Sequence, residues 1–379
     1  MIPFNKPYIT GKELSYIQEA ITTGKISGNG HFSKLCHTFF EKRYRFNKCL
    51  MTSSCTDALE MSSLLIDIQP GDEVIIPSYT FVSSANAFVL RGAKIVFVDS
   101  RTDHPGMDEE AIEPLINPKT KAIVVVHYAG VAVDMDKVMK LADKYNLIVI
   151  EDAAQCIESY YKNTSQTLVP LGSIGHLAAF SFHETKNIIS GEGGMLVIND
   201  PQFLHRAEII WEKGTNRSSF FRGEVDKYGW VDVGSSFLPS EITAAFLYAQ
   251  LEELESIQQM RKVIWERYES ELKDWSIQYG VYMPYIPEYA TNNAHMFYLV
   301  FKSIEKRQSF IDLLKSAGIL SVFHYQSLHS SPFYFSSHDG RELPKADYYT
   351  EKLVRLPLYA GLSEEEQLFI ISQILKFKG

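Results

Sequence analysis

The apolar run Leu147-Ile148-Val149-Ile150 leads directly into Glu151-Asp152-Ala153-Ala154-Gln155, and this junction decides how the rest of the chain is interpreted. Four consecutive apolar residues, mostly β-branched, predict a strand that is buried on both faces. Asp152 then stands at the carboxyl end of that strand, which is where ligands bind in open α/β sheets. A second junction, Ser181-Phe182-His183-Glu184-Thr185-Lys186, ends in a lysine and precedes the small-residue run Ser190-Gly191-Glu192-Gly193-Gly194.

Outside these junctions the chain alternates between apolar strands and helices of about 10–15 residues, which is typical of a parallel sheet covered on both faces. The fold class is therefore α/β, with a mostly parallel central sheet between helices. We expect a large domain over residues 1–245, including an N-terminal arm, and a smaller α+β domain over residues 246–379. The predicted helices include residues 108–116 and 348–354, and the predicted strands include residues 296–301 and 321–325.

Composition limits the classes of function. The chain has 379 residues, a net charge of −9 and 45% hydrophobic residues, so a broad nucleic-acid surface, which needs a basic face, is not expected. None of the four cysteines forms a CxxC pair, so neither a zinc ribbon nor a redox motif is indicated. No apolar run approaches the ~18 residues of a membrane helix, and no signal peptide is recognisable. We expect a cytoplasmic protein that does not contact a membrane.

The two junctions together suggest pyridoxal 5′-phosphate (PLP) chemistry. A PLP enzyme needs an amine that binds the cofactor as a Schiff base, and Lys186 fits that role; an anion facing the ring nitrogen is supplied by Asp152. Gln155 is placed to reach the ring hydroxyl, and the hydroxyls of Thr56 and Ser181 are candidates for the phosphate. Each residue also has an ordinary explanation, because a lysine after a strand is usually a surface charge and an aspartate can cap a helix.

Three further stretches leave alternatives open. The hydroxylated junction Ser53-Ser54-Cys55-Thr56-Asp57-Ala58 is either a helix N-cap or a phosphate site. Phe81 is either a core residue or a ring that stacks on a planar ligand. The segment around Asn29 lacks the spacing of a P-loop and is either a turn or a ligand-contacting loop. The polar loop over residues 214–236 is long for a spacer, which favours a functional role or a subunit contact.

The motifs also resemble a known family in combination. Ser53-Ser54-Cys55-Thr56-Asp57-Ala58, Pro77-Ser78-Tyr79-Thr80-Phe81, Glu151-Asp152-Ala153-Ala154-Gln155 and the Lys186 junction are similar to those of the DegT/DnrJ/StrS sugar aminotransferases, which are fold-type I PLP enzymes. The resemblance covers essentially the whole chain, up to Arg355-Leu356-Pro357-Leu358.

This resemblance implies a homodimer with active sites at the subunit interface, glutamate as amino donor (2-oxoglutarate as its product), and pyridoxamine 5′-phosphate as the intermediate cofactor form. It implies that Lys186 binds the cofactor, that Asp152 faces the pyridine nitrogen, that Gln155 faces the ring oxygen and that Phe81 stacks on the ring. The phosphate would be held by Cys55, Thr56 and Ser181. Two positions depart from the family: Cys55 replaces a common Gly or Ala, and Ser236 stands where many members have an Asn for the partner's phosphate.

Within the family, the stretches around Glu184, Arg217 and Arg222 are most similar to transaminases acting at C4 of dTDP-4-dehydro-6-deoxyglucose. Such enzymes make dTDP-4-amino-4,6-dideoxygalactose or its glucose epimer for surface polysaccharides such as O-antigen. Arg217 and Arg222 are then candidates for binding substrate phosphates, or belong to a solvated loop. Two rivals stay open, namely transamination at C3 of the 3-keto isomer and a regulator that binds PLP or sugar nucleotide without turnover.

The histidines of the C-terminal part raise the question of a metal. His324, Tyr325 and His329 lie close in sequence, but a zinc site needs third and fourth ligands, and none is evident. We therefore expect no metal, and assign these three residues to substrate hydrogen bonding or core packing.

Overall fold

The central feature of the computed structural model, which describes residues 1–378, is a seven-stranded sheet with the order β1-β9-β8-β5-β4-β2-β3. Strands β3, β2, β4, β5 and β8 run parallel to one another, whereas β9 pairs antiparallel with both β8 and β1. The strands of the chain are β1 (Lys48–Thr52), β2 (Glu73–Pro77), β3 (Lys94–Val98), β4 (Thr120–Val126), β5 (Ile148–Asp152), β6 (Tyr160–Lys162), β7 (Leu168–Pro170), β8 (Leu177–Ser181), β9 (Gly194–Ile198), β10 (Tyr298–Val300), β11 (Val322–Phe323) and β12 (Leu353–Arg355).

The register of the parallel strands explains where the functional residues meet. Val126 at the end of β4 pairs with Asp152 at the end of β5, and Asp152 pairs with Ala179 of β8. These carboxyl ends therefore share one edge of the sheet, as expected for a parallel arrangement. Every residue of β8 and β9 is buried, which agrees with strands covered on both faces.

Helices cover both faces of this sheet, and two buried clusters of apolar side chains lie between sheet and helices. The helix α8 packs against α1 and α2. The helices are α1 (Glu13–Thr22), α2 (His31–Tyr44), α3 (Cys55–Leu65), α4 (Ser83–Val89), α5 (Met135–Tyr145), α6 (Leu204–Trp211), α7 (Arg217–Phe221), α8 (Glu241–Glu252), α9 (Leu254–Tyr279), α10 (Ile304–Ser316), α11 (Pro344–Lys352) and α12 (Glu364–Ile374).

The C-terminal part has its own small sheet and its own core. The antiparallel strands β10, β12 and β11 form a three-stranded sheet in that order, and α9, α10 and α12 contribute to a third apolar cluster. The N-terminal arm reaches this part, because Ile2 forms a bridge with Ile319. The division of the chain at residue 245 stays a prediction.

One predicted helix was wrong, and a second differs from the prediction at its ends. Residues 109–115 form two short 3₁₀ turns, Glu109–Ala111 and Glu113–Leu115, because Pro114 cannot donate the backbone hydrogen bond that an α-helix would need there. The second predicted helix, over 348–354, ends at Lys352, and the apolar residues that follow form β12. Of the helices within residues 1–378, none combines the length and apolar character that a membrane span requires.

Candidate active site

A cavity of about 730 Å³ opens at the carboxyl edge of the central sheet. Its walls are the ends of β4, β5 and β8, the N-terminus of α3, the turn that holds Lys186, and the strands β11 and β12. The residues of the sequence-based set that line it are Cys55, Thr56, Phe81, Asp152, Gln155, Ser181, Lys186, His324 and Tyr325. One cavity thus collects side chains from widely separated parts of the chain.

Asp152 is a buried carboxylate whose two oxygens are both held. The Ser84 hydroxyl donates to Oδ2 at 2.6 Å, and the Ala154 N–H donates to Oδ1 at 3.2 Å. Ser84 in turn lies 2.9 Å from the hydroxyl of Thr80. Burial raises the pKa of Asp152, while the bond from Ser84 acts to lower it. The carboxylate is therefore fixed in direction, with lone pairs left for a donor in the cavity.

Lys186 lies at the end of a tight turn after β8. Its backbone N–H donates to the His183 carbonyl at 2.8 Å, and the Glu184 N–H donates to Gly191 at 2.9 Å. Burial lowers the pKa of the Lys186 amine, whereas Cys55 and Asp152 act to raise it. A lowered pKa increases the fraction of neutral amine, which is the form that attacks a carbonyl or accepts a proton.

The N-terminus of α3 offers a site for an anion. Ser54 caps the helix by accepting the Asp57 N–H at 3.0 Å, so the N–H groups of the first residues, Cys55 and Thr56, have no acceptor within the helix. A Cβ at Gly194 would collide with the backbone of Ser54 and Cys55. Glycine at this position therefore allows β9 to approach the start of the helix closely.

Gln155 connects the sheet to the C-terminal part. Its Oε1 accepts the Ala129 N–H at 2.6 Å, and its Nε2 donates to the Tyr325 hydroxyl at 3.0 Å, which leaves one amide N–H for a ligand.

The Tyr325 ring stacks on His324 with centroids 3.6 Å apart. His324 in turn lies 2.6 Å from the Tyr128 hydroxyl, and burial lowers the pKa of His324 well below its usual value. Phe81 is 55% exposed at the cavity, with its ring 6.1 Å from that of Tyr325.

The other predicted substrate and partner contacts lie outside the cavity of a single chain: Asn29, Glu184, Arg217, Arg222, Ser236 and His329. Arg222 forms ion pairs with Glu208 at 2.9 Å and with Glu224 at 2.6 Å. Arg217 has its guanidinium 5.2 Å from the centroid of the Phe221 ring.

Three of these residues are accounted for by local structure. Asn29 is a turn residue in the left-handed region, with a φ of 59°. The backbone carbonyl of Glu184 accepts a hydrogen bond from the Asn5 side chain at 3.1 Å, while the residue itself is exposed. His329 is buried and bonds through Nδ1 to the Ser78 hydroxyl at 2.7 Å.

Several residues that line the cavity were given no role by the sequence-based reasoning. Phe4 and Asn5 belong to the N-terminal arm, and His295 and Arg355 belong to the C-terminal part. Nothing in their local sequence marks them, because their place depends on contacts between distant segments. Within residues 1–378, no group of three or more His, Cys, Asp or Glu side chains is arranged to hold a metal ion.

The side chains present fit PLP. The cavity supplies an amine at Lys186, a fixed buried carboxylate at Asp152, and hydroxyls at Thr56 and Ser181 beside a helix N-terminus that suits a phosphate. The close approach of β9 to the start of α3 at Gly194 lies beside these hydroxyls and leaves no room there for a larger side chain.

Comparisons with known proteins agree with this geometry. The profile of the DegT/DnrJ/EryC1/StrS aminotransferase family matches residues 7–375. The chain is 29% identical to MJ1066 of Methanocaldococcus jannaschii, an uncharacterised protein, over 99% of this chain and 97% of the relative.

Two solved structures are also similar. Spr1654 from Streptococcus pneumoniae, named as a putative sugar aminotransferase and solved in PLP and PMP forms, superposes with a TM-score of 0.89 at 27% identity, and the PMP form covers 100% of this chain and 99% of that one. S. venezuelae DesV, solved with a ketimine intermediate, gives 0.87 at 28% identity, covering 97% and 94%. The chain therefore belongs to the DegT/DnrJ/EryC1/StrS aminotransferase family and is a PLP-dependent sugar aminotransferase.

Proposed function

We propose that this enzyme transfers the amino group of L-glutamate to C4 of dTDP-4-dehydro-6-deoxyglucose. The product is a dTDP-4-amino-4,6-dideoxyhexose, of galacto or gluco configuration, used for O-antigen or another surface polysaccharide. The observation that supports transamination is that Lys186 and Asp152 share one cavity. The choice of C4 rests on the resemblance of the stretches around Glu184, Arg217 and Arg222 to the C4 transaminases.

Each residue has a distinct role in this proposal. When bound, PLP withdraws electrons from the carbon that carries the amine. Lys186 would hold the cofactor covalently and, once released by substrate, would move a proton to and from that carbon through its Nζ atom. Asp152 would accept a hydrogen bond from the ring nitrogen and keep it protonated, and Ser84 fixes the direction of the carboxylate. Gln155 would contact the ring oxygen, and Phe81 would cover one face of the ring.

The phosphate contacts and the subunit arrangement belong to the same proposal. Cys55, Thr56 and Ser181 bind the phosphate, with Ser236 contributed from a second subunit of a homodimer. The segment that contains Ser236 exposes large apolar side chains, since Phe221 is 69% and Trp230 is 84% exposed. Apolar surface of this kind supports a partner interface. In the dimer, Arg217 and Arg222 would then reach the substrate phosphates of the neighbouring site.

The test is to incubate the enzyme with L-glutamate and each keto-sugar nucleotide, and to locate the new amine by NMR. We expect amination at C4 of dTDP-4-dehydro-6-deoxyglucose and none at C3 of the 3-keto isomer. Amination at C3 would replace the proposal with its nearest rival. A cofactor absorbance that does not change when glutamate is added would indicate a non-catalytic regulator instead.

A further inference from the structure

His295 is a buried histidine that lines the cavity together with Lys186. It is 7% exposed and lies in the segment that precedes β10. Its Nδ1 atom is hydrogen-bonded to the side chain of Asn187, which follows Lys186 directly in the chain. The turn that brings Lys186 to the cavity therefore also binds the imidazole of His295.

The orientation of the Asn187 amide decides which nitrogen of His295 carries the proton. The amide nitrogen of Asn187 donates to the Asn293 backbone carbonyl at 3.0 Å and to Gln258 Oε1 at 2.7 Å. Because a backbone carbonyl only accepts, the amide nitrogen has to face it, and Asn187 Oδ1 has to face the imidazole. That oxygen lies 2.8 Å from His295 Nδ1. Nδ1 is therefore the donor and the protonated nitrogen.

The environment keeps this imidazole neutral. Burial lowers the pKa of His295 well below its ordinary value, and the charges of Lys186, Arg261 and Arg355 act in the same direction. A neutral imidazole that is protonated on Nδ1 has a lone pair and no proton on Nε2. At neutral pH the Nε2 atom is therefore a hydrogen-bond acceptor.

This acceptor opens to the cavity and has no partner in the protein. Within residues 1–378, His295 forms its side-chain hydrogen bond through Nδ1 alone, and Nε2 is not one of the unpaired side-chain atoms that are sealed from solvent. Nε2 therefore keeps accessible surface, which a buried residue of the cavity wall has at the cavity. Its lone pair requires a donor from a ligand or from water.

The segment around His295 is also held through its backbone. The His295 N–H donates to Asn293 Oδ1 at 3.0 Å, and the His295 carbonyl accepts the Arg261 guanidinium at 2.6 Å. The Asn293 amide in turn donates to the Gln155 carbonyl at 2.7 Å. Because ring and backbone are both fixed, the direction of the Nε2 lone pair is set before a ligand binds.

We propose that His295 Nε2 accepts a hydrogen bond from a ring hydroxyl of the sugar substrate and thereby distinguishes the sugar from the amino donor. The inference rests on the proposed function and adds a residue that determines its specificity. Both candidate keto sugars carry a hydroxyl next to the carbonyl carbon, and a hydroxyl is a donor. The carboxylates of glutamate only accept, so they cannot bond a bare imidazole nitrogen.

Two other donors compete for Nε2. One is the Lys186 amine, but no hydrogen bond joins it to His295 among the described residues. The other is the N–H of the thymine base, which a ribose and a diphosphate separate from the sugar ring. Because His295 is bound to the residue next to Lys186, Nε2 lies at the end of the cavity where the reacting carbon must be. This position favours the sugar ring over the base.

The binding experiment uses calorimetry on the holoenzyme in its pyridoxamine form, with dTDP-6-deoxyglucose, which has no carbonyl to react, and with dTDP. His295→Asn keeps a donor for Asn187 but has no atom at the place of Nε2, whereas His295→Gln puts an amide oxygen near that place. We expect His295→Asn to weaken dTDP-6-deoxyglucose binding about 5- to 100-fold, the cost of an unpaired buried hydroxyl, and to leave dTDP binding within about twofold of the wild type. His295→Gln should recover most of the loss. His205→Asn is the control, because His205 is exposed on α6 and outside the cavity.

The two half-reactions give a second readout, since each changes the cofactor absorbance. For His295→Asn we expect kcat/KM of the reaction with L-glutamate alone to stay within about twofold of the wild type. The reaction of the pyridoxamine form with the keto-sugar nucleotide should slow by about the factor lost in binding. General damage to the site would slow both half-reactions.

Unchanged binding of dTDP-6-deoxyglucose, an equal loss for dTDP, or equal slowing of both half-reactions would overturn the assignment, as would a His295→Gln variant no better than His295→Asn. If the sugar nucleotide binds through His295 but neither keto sugar is aminated, the proposed function fails and the assignment stands.

A test on the ligand side applies if His295→Asn does not fold, as judged by circular dichroism and cofactor absorbance. The wild type is then compared for binding of dTDP-6-deoxyglucose and of its 2-deoxy and 3-deoxy analogues. One analogue should bind more weakly by the same factor, because it lacks the hydroxyl that Nε2 accepts. Equal affinity for all three would overturn the assignment.

Discussion

Two walls of the same cavity differ in how the protein holds their charged side chains. The sheet wall, formed by Asp152, Ser181 and Lys186, comes from the ends of buried parallel strands, and its carboxylate is held by two hydrogen bonds from the protein. The C-terminal wall, formed by His324, Tyr325 and Arg355, contains a half-buried guanidinium whose Nε atom has no hydrogen-bond partner. The protein thus fixes the charged group of the first wall with hydrogen bonds and leaves the Nε atom of the second without one.

This difference corresponds to how long each molecule stays in the site, because the cofactor remains bound and the substrate enters and leaves. A cofactor that remains in place benefits from side chains whose direction is fixed in advance, because nothing has to reorganise during each turnover. A polar atom that the protein leaves without a partner is instead free to bond a substrate at each turnover. The substitutions below change residues of the sheet wall, or residues that support it, in order of decreasing expected effect.

The largest effect is expected for Lys186→Ala. This change removes both the amine that holds the cofactor and the proton carrier, and the latter alone contributes about 10²- to 10⁴-fold to rate. We expect turnover to fall at least to the upper end of that range in a coupled assay of amine transfer. Lys262→Ala, at an exposed position of α9, is the control and should leave turnover unchanged.

A substitution at Glu151 tests how much the hydrogen bonds behind the sheet wall contribute to the free energy of unfolding. Its side chain points to the opposite face from Asp152, as neighbours on a strand do. There it lies 3.0 Å from His127 Nε2 and accepts the N–H groups of Gly172 and Gly175 at 2.7 and 2.6 Å. Breaking a buried pair of this kind costs about 3–5 kcal/mol. We therefore expect Glu151→Gln to lower the free energy of unfolding by roughly that amount in urea titrations.

The pH dependence of this contribution follows from its sign. Burial opposes ionisation of Glu151, but His127 and the backbone N–H groups outweigh it and hold the pKa below the ordinary glutamate value. The stabilisation is therefore fully present above that ordinary value and is lost as the pH falls through the lower, folded-state pKa. The stability difference between wild type and Glu151→Gln should shrink on acidification below about pH 4. A constant difference across that window would contradict this account.

Asp152→Asn should have a smaller effect on stability and a clear one on rate. The amide keeps the shape of the side chain but removes the charge that keeps the ring nitrogen protonated. A hydrogen bond to a charged group contributes about 1.5–3 kcal/mol, so we expect turnover to fall roughly 10- to 150-fold. Asp274→Asn, on the exposed face of α9, is the matched control. Wild-type turnover in Asp152→Asn would remove Asp152 from the mechanism.

The smallest effect is expected for Ser84→Ala. Ser84 does not touch the cofactor in this account and acts only by fixing the direction of Asp152, so the carboxylate remains but loses one of its two supports. We expect turnover to fall about three- to tenfold, within the value of one hydrogen bond, together with a shift in the pH at which the cofactor absorbance changes. Ser84→Thr, which keeps the hydroxyl, should restore most of both. A loss in Ser84→Ala without any spectral shift would indicate general damage to packing instead.

Local sequence patterns were sufficient to predict the sheet wall. Buried β-branched runs such as 147–150 identify the strands, and the carboxyl-end rule places Asp152 and the residues around Lys186 at one edge. The family resemblance extended this to the cofactor, which the comparisons support. Pro114 is a signal in the sequence against a helix over 108–116, because proline lacks the backbone N–H that the helix needs.

The C-terminal wall was largely beyond such reasoning. Arg355 was part of a quoted motif, but its position at the cavity depends on a strand of three residues that was expected to be the end of a helix. Its contact with the Phe4 ring brings together the N-terminal arm and a strand near the C-terminus of the chain. Contacts between residues so far apart in sequence leave no local periodicity or spacing to detect.

The central claim is that Lys186 holds the cofactor. Reducing the holoenzyme with borohydride fixes a cofactor bound as an imine to its lysine, and mass spectrometry of the digested protein then locates the modified residue. The account predicts the added cofactor mass on the peptide that contains Lys186 and on no other. Cofactor mass on a different lysine, or on none, would contradict it.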